Sequence, residues 1–279
     1  GVRNLTQALP QSIQRRIRHG ISFDAFVFVD DNPAEREIVR GQLGGTAVPE
    51  IGEVTDYIRV LDRSGYFETV TLSEDDLKRN DMYRANAQRA KAQSRFADYH
   101  EYLLSLEMTA EIGDFSPLYL QRITQLTNKS NQFNLTTKRY TTEQMEAVYN
   151  SDEYIRLYGK LYDKFGDNGV VAVTIGKTDS EDKGRLDIEL WLMSCRVLKR
   201  DMELAMLDSL VEQAKKRGIR EIYGHYYPTA KNKMVAGLYE SFGFEKISQD
   251  EEGNTAWRLL VEGYEDKNTV IKVKEEHYA

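Results

Sequence analysis

Residues 187–244 constrain the fold of this chain more than any other stretch. They open with Ile188-Glu189-Leu190-Trp191-Leu192-Met193-Ser194-Cys195, a strand-like run, and continue into a basic turn, Arg196-Val197-Leu198-Lys199-Arg200-Asp201. Residues 202–217 then place Leu204, Leu207, Leu210, Val211 and Ala214 at spacings of three and four, the buried face of an amphipathic helix. Gly218 ends that helix, residues 221–227 read as a second strand, and residues 232–244 close the stretch in Phe242-Gly243-Phe244. The order is strand, basic turn, helix, strand, helix. Free N–H groups and the positive dipole end at the start of the long helix suit an anion held by the turn.

This order resembles the core of the GNAT acetyltransferase fold, in which the turn before the long helix wraps the pyrophosphate of acetyl-CoA. The family pattern at the turn is Gln/Arg-x-x-Gly-x-Gly/Ala, and here it reads Arg196-x-x-Lys199-x-Asp201. The arginine is kept and both glycines are replaced. Glycine lets a backbone approach a phosphate closely, and an aspartate adds a repelling charge. The resemblance makes Arg196, Val197, Leu198, Lys199, Arg200 and Asn232 the cofactor-binding candidates, with Lys199 and Arg200 as phosphate partners in place of the glycines. The expected cofactor is acetyl-CoA or an acyl-phosphopantetheine.

The resemblance also marks two catalytic candidates. Cys195 ends the strand that flanks the pantetheine arm in this family. A thiol there can hold an acyl group if its pKa is lowered, or it can be a small buried hydrophobe. Tyr239 lies where such enzymes often keep a tyrosine that protonates the departing thiolate; the alternative packs it in the core. His225 has no sequence partner that marks it as a base, which leaves a satisfied strand residue.

Composition narrows the setting. A length of 279 residues fits two domains. A net charge of −7 argues against nonspecific binding of nucleic acid. One cysteine excludes an internal disulfide and suits a reducing compartment. No run reaches the roughly 18 apolar residues of a membrane helix, and no cleavable signal pattern occurs. The expectation is a cytoplasmic protein with no membrane and no nucleic-acid partner.

Towards the N-terminus, residues 4–19 read as a helix. Ala25-Phe26-Val27-Phe28-Val29 is a continuous apolar run, as in a buried parallel strand. It ends in Asp30-Asp31-Asn32-Pro33, a helix follows over residues 35–43, and residues 46–49 form another short strand. Adjacent carboxylates Asp30 and Asp31 at a strand's carboxyl end are a plausible Mg2+ site. Asp-Asn-Pro is also a helix-start signal, and the local pattern favours that reading.

The run from Phe26 to Glu37 resembles the last acidic motif of haloacid-dehalogenase (HAD) phosphatases, in the variant found in FkbH-like proteins. Further matches follow in the same order: Leu126-Thr127-Asn128-Lys129-Ser130-Asn131-Gln132-Phe133-Asn134-Leu135-Thr136-Thr137, Phe165-Gly166-Asp167-Asn168-Gly169, Leu192-Met193-Ser194-Cys195-Arg196-Val197-Leu198 and Pro228-Thr229-Ala230-Lys231-Asn232. FkbH-like proteins join a HAD domain to a GNAT-like domain, and their characterised branch moves a glyceryl unit onto an acyl carrier protein. The HAD nucleophile motif Asp-x-Asp-x-Thr is absent here, and no lysine precedes Lys78. The chain is therefore expected to be the C-terminal part of such a protein, with Asp30 and Asp31 as metal ligands that bind Mg2+ only in a full-length HAD domain. No phosphatase activity is expected from it alone.

Residues 72–106 read as a helical connector with a solvated polar face, seated by Met82, Tyr83, Phe96, Tyr99, Tyr102 and Leu103, with Ser73 and Asp76 as a loose capping box. The boundary is expected near residues 93–106. Asn128, Asn131, Gln132 and Asn134 form an amide cluster after a helix that begins at Ser116-Pro117. Amides suit recognition of a polar acyl group or pantetheine and equally tie down a loop; the resemblance makes them substrate-binding candidates. Residues 154–162 and 170–177 alternate as a hairpin turning at Gly166-Asp167-Asn168-Gly169.

The expected fold is therefore α/β. Residues 1–72 would be a truncated HAD-like remnant, 73–106 a helical linker, 107–262 a GNAT-like acyltransferase domain and 263–279 a tail with an added edge strand. The leading function is handling of an acyl thioester carried on coenzyme A (acyl-CoA) or on an acyl carrier protein. The rival is a non-catalytic module that docks a carrier protein or supports the HAD site.

Overall fold

The computed structural model describes residues 26–66 and 79–275. The chain divides into two compact units, Gly1–Ser73 and Glu74–Ala279. The helix expected over residues 4–19 and the Ser73–Asp76 capping box lie outside the described residues, as do the side chains of Met82 and Tyr83.

In the smaller unit, helix α1 spans Pro33–Gln42 and helix α2 spans Tyr57–Arg63. Asn32 caps α1, its side-chain oxygen accepting from Ala34 N–H at 3.0 Å, and Pro33 fills the first turn, where a missing N–H costs nothing. Val39 and Leu43 bury the inner face of α1 against Phe28 and Val48. The two expected strands are reduced to a single parallel bridge between Val27 and Ala47.

The larger unit is built on a nine-stranded mixed sheet. Its strands are β1 (Thr109–Asp114), β2 (Phe133–Asn134), β3 (Tyr154–Asp163), β4 (Gly166–Thr178), β5 (Arg185–Met193), β6 (Glu221–Tyr226), β7 (Glu245–Gln249), β8 (Thr255–Leu260) and β9 (Lys272–Glu275). The spatial order is β7-β8-β6-β5-β4-β3-β1-β9, with β2 added to β5. Neighbours are antiparallel except β5–β6 and β1–β9. The helices are α3 (Arg79–Gln93), α4 (Tyr99–Ser105), α5 (Pro117–Lys129), α6 (Thr142–Tyr149), α7 (Met202–Lys216) and the short α8 (Leu238–Ser241). One core lies under α7, where Leu207, Leu210, Val211 and Ala214 are buried as their spacing requires; a second lies under α5 and α6. Among the described residues no helix is long and apolar enough to cross a membrane.

One local expectation is corrected. The hairpin turns at Lys164 and Phe165, and Gly166-Asp167-Asn168-Gly169 lies inside β4. There Gly169 takes φ +70°, and the β3–β4 register shifts at a bulge. The connector keeps an exposed polar face, with Arg84, Gln88, Lys91 and Gln93 all exposed, and is seated on the larger unit. Arg89 of α3 is buried and donates twice to Asp163 of β3, at 2.7 and 2.9 Å, while Tyr102 and Leu103 of α4 enter the main core. Phe96 and Tyr99 remain at its rim. The tail adds an edge strand in line with the sequence reading. Asp208 of α7 accepts from Tyr264 O–H at 2.6 Å and from the Lys267 and Asn268 backbone, and β9 then pairs with β1.

Candidate functional site

The central feature is a fork. β5 and β6 run parallel and pair only from Arg185 to Asp187, opposite Glu221 to Tyr223. Beyond Asp187 the β4–β5 register slips, so that Ile188 faces Gly176 and Leu190 faces Ile175, leaving Glu189 as the extra residue. A bulge of this kind bends its strand. β5 therefore turns away from β6 and exposes a backbone edge that must find partners.

The chain fills that gap with itself. Phe133 and Asn134 pair with Met193 and Leu192. Leu135 N–H donates to Trp191 O at 3.1 Å, Thr136 Oγ1 donates to Glu189 O at 2.7 Å, and Tyr227 N–H donates to Leu135 O at 2.9 Å. Residues 133–136 thus bond to both arms of the fork. Asn232, fully buried, fastens them: its Nδ2 donates to Asn134 O at 2.9 Å and Tyr227 O at 3.0 Å, while its Oδ1 accepts from Thr229 N–H at 2.7 Å.

After β5 comes the basic turn. Lys199 has φ +64° and Asp201 φ +59°, so both positions that are glycine in the family pattern keep a left-handed backbone without the glycine. Cys195 is exposed, Arg196 half-buried and Val197 buried, and Leu198 packs against the core. Lys199 is exposed, with its carbonyl accepting from Tyr99 O–H at 2.7 Å. Arg200 points inward, donating to Asp163 at 3.1 Å, Asn168 at 3.3 Å and Arg196 O at 2.9 Å. Two acids open α7: burial pushes Asp201 upward, and burial pushes Glu203 up to about 7.

Of the basic side chains of the turn, Lys199 and Arg196 reach the surface and Arg200 does not. Arg200 is committed to a buried carboxylate, Asp201 and Glu203 lie at the start of α7, and the edge of β5 is taken by residues 133–136. In the smaller unit Asp30 and Asp31 lie just before α1. Asp30 accepts from Asn32 N–H at 2.8 Å, and its carbonyl and that of Asp31 accept from Arg36. Among the described residues no group of three or more potential metal ligands exists. Asn32 forms the helix start that Asp-Asn-Pro signals.

The amide cluster is turned largely on its own loop. Asn128 Nδ2 donates to Thr124 O and Tyr140 O, Asn131 accepts from Arg139, and Asn134 accepts from Thr137 N–H at 2.9 Å. Gln132 is exposed. Tyr239 is 1% exposed among Trp191, Phe244 and Trp257, its hydroxyl enclosed beside the His225 backbone, and burial holds its pKa above the usual phenol range. It sits so close to β6 that a Cβ on Gly224 would lie 2.3 Å from its ring.

His225 has a partner that the sequence did not reveal. Its Nε2 lies 3.3 Å from Asp187 Oδ1, at the last paired position of β5. Parallel pairing of the two strands that flank α7 is the signal that links them.

The larger unit is a mixed α/β fold in the strand, turn, helix, strand, helix order expected of a GNAT-like unit. No protein-family model matches the chain, and no curated protein sequence does. Among solved structures, ribosomal-protein-S18-alanine N-acetyltransferase from Escherichia coli is 13% identical, covering 57% of this chain and 99% of that one, with a TM-score of 0.42. The GNAT domain of S. lividans PAT is 14% identical over 53% and 89%, with a TM-score of 0.43. yncA, a putative acetyltransferase from Salmonella typhimurium solved with its cofactor acetyl-CoA, is 14% identical over 58% and 99%, with a TM-score of 0.42.

Proposed function

We propose that the larger unit is an acyltransferase-type module of a two-part, FkbH-like protein. It handles an acyl group presented as a thioester on the phosphopantetheine arm of an acyl carrier protein, not on a coenzyme A of its own. The order of elements and the left-handed turn before α7 support the acyl-transfer part of this reading. The observation that carries the choice of donor is the spent phosphate cradle: Arg200 is locked to Asp163, and two acids open the helix. A free nucleotide thioester needs cations there, whereas a carrier-bound arm brings its phosphate already tied to a protein surface. Exposed Lys199 and Cys195, with Arg196 between strand and turn, form the rim such an arm would meet.

Calorimetric titration tests this with acetyl-CoA, coenzyme A, S-acetylpantetheine and an acetyl-loaded carrier protein. We expect binding of the loaded carrier with no gain from the nucleotide. Tight binding that requires the nucleotide half would refute the reading. A second reading, a non-catalytic docking module, is favoured by the closed fork, where Asn134 and Asn232 are both fully buried. It predicts equal affinity for carrier protein with and without the acylated arm.

A further inference from the structure

We propose that His225, positioned by Asp187, is the proton acceptor of the larger unit for an acyl acceptor bearing an N–H or O–H nucleophile. This rests on the acyl-transfer reading above and adds a residue that neither the motifs nor the resemblance assigns. An exposed ion pair usually holds two side chains loosely. This one is braced on both sides. Asp187 is gripped from behind by Arg185, whose Nε donates to Oδ2 at 2.8 Å and whose second nitrogen donates to Oδ1 at 2.6 Å. Arg185 is itself held 4.0 Å above the Tyr223 ring. The His225 ring stacks nearly parallel to Tyr227, at 19° and 6.3 Å.

The carboxylate accepts from Nε2–H, which fixes the tautomer and leaves the lone pair on Nδ1 to take a proton. Burial pulls the Asp187 carboxyl upward, but the hydrogen bonds from His225 and Arg185 outweigh it and keep the pKa below the usual range. Asp187 therefore stays ionised and can stabilise an imidazolium. The pair is reachable, with side-chain exposures of 28% for His225 and 24% for Asp187, beside Tyr227 at 43%. It stands where β5 and β6 part, since Asp187 is the last residue of β5 paired with β6 and His225 lies two residues beyond that residue's partner, Tyr223.

The step balances without another reactant. His225 takes the proton of the acceptor X–H as X bonds to the thioester carbon; the carbon–sulfur bond breaks, and the departing thiolate takes that proton back. His225 acts on reacting atoms, and Asp187 is a positioning residue.

The test follows thiol release from S-acetylpantetheine and from an acetyl-loaded carrier protein, with hydroxylamine as the acceptor. We expect His225→Ala to lose about 10²–10⁴-fold in kcat, the span of a general base, with partial rescue by added imidazole. Asp187→Asn should lose less and keep KM. A wild-type rate retained in His225→Ala, or a lost rate that imidazole does not restore although the variant melts normally, overturns the assignment of His225. No thiol release by the wild type from either donor overturns the acyl-transfer reading itself and the proposal with it.

Discussion

Replacing Asn232 with alanine tests how the fork is held closed. The change removes donors to two carbonyls, Asn134 O and Tyr227 O, and an acceptor for Thr229 N–H. A buried polar group left unpaired costs about 1–3 kcal/mol. Asn134 is fully buried and its carbonyl would pay in full, whereas Tyr227 is exposed and Thr229 lies by the surface, so both regain part from water. The sum is about 3 kcal/mol. For a unit of roughly 200 residues that lowers Tm by roughly 10 °C. Thr229→Val, which removes one hydroxyl and spares the amide donors, should cost only about 1 kcal/mol. Two measurements check the reasoning. Thermal unfolding gives the shift, and amide exchange should quicken at Leu135 and Tyr227, whose N–H groups span the gap. A Tm within about 2 °C of the wild type, together with unchanged exchange at Leu135, would refute the view that Asn232 fastens this segment.

Three further outcomes can be measured independently. Asn128→Ala and Asn131→Ala should lower Tm and leave carrier binding unchanged, because both amides are spent on their own loop; weakened binding at constant Tm would show instead that they line the site. Glu203 makes stability depend on pH: its folded value is raised from 4.5 to about 7, so the folded state holds the proton more tightly and loses stability as pH climbs from 4.5 towards 7. Glu203→Gln should thus gain up to roughly 3 kcal/mol at pH 8 and almost nothing at pH 4 in denaturant titrations, and equal effects at both pH values would contradict this. Asp163→Asn strips the shared carboxylate from Arg89 and Arg200, leaving two buried guanidinium groups, and should cost about 3–5 kcal/mol in the same assay; a loss under about 1 kcal/mol would mean that the pair is solvated in solution.

The sequence by itself determined the elements whose cause is local. The three-four spacing of Leu207, Leu210, Val211 and Ala214 made α7, and Ser116-Pro117 and Asn32-Pro33 started α5 and α1, because helix faces and caps depend on residues a turn apart. The basic turn before α7 was also readable, but the left-handed backbone at Lys199 and Asp201 was not. Nor was the use the turn makes of its side chains. Arg200 became a buried partner of Asp163, 37 residues earlier in the chain, and that pairing removed it from any phosphate. The amides of residues 128–134 looked equally suited to a ligand or a loop, and nothing local foretold that Asn232, 98 residues away, would donate to the Asn134 carbonyl. Tertiary structure alone parted β5 from β6, laid residues 133–136 between them and brought Asp187 to His225. A free strand edge must be satisfied by whatever the whole fold carries to it, and no local pattern encodes that partner.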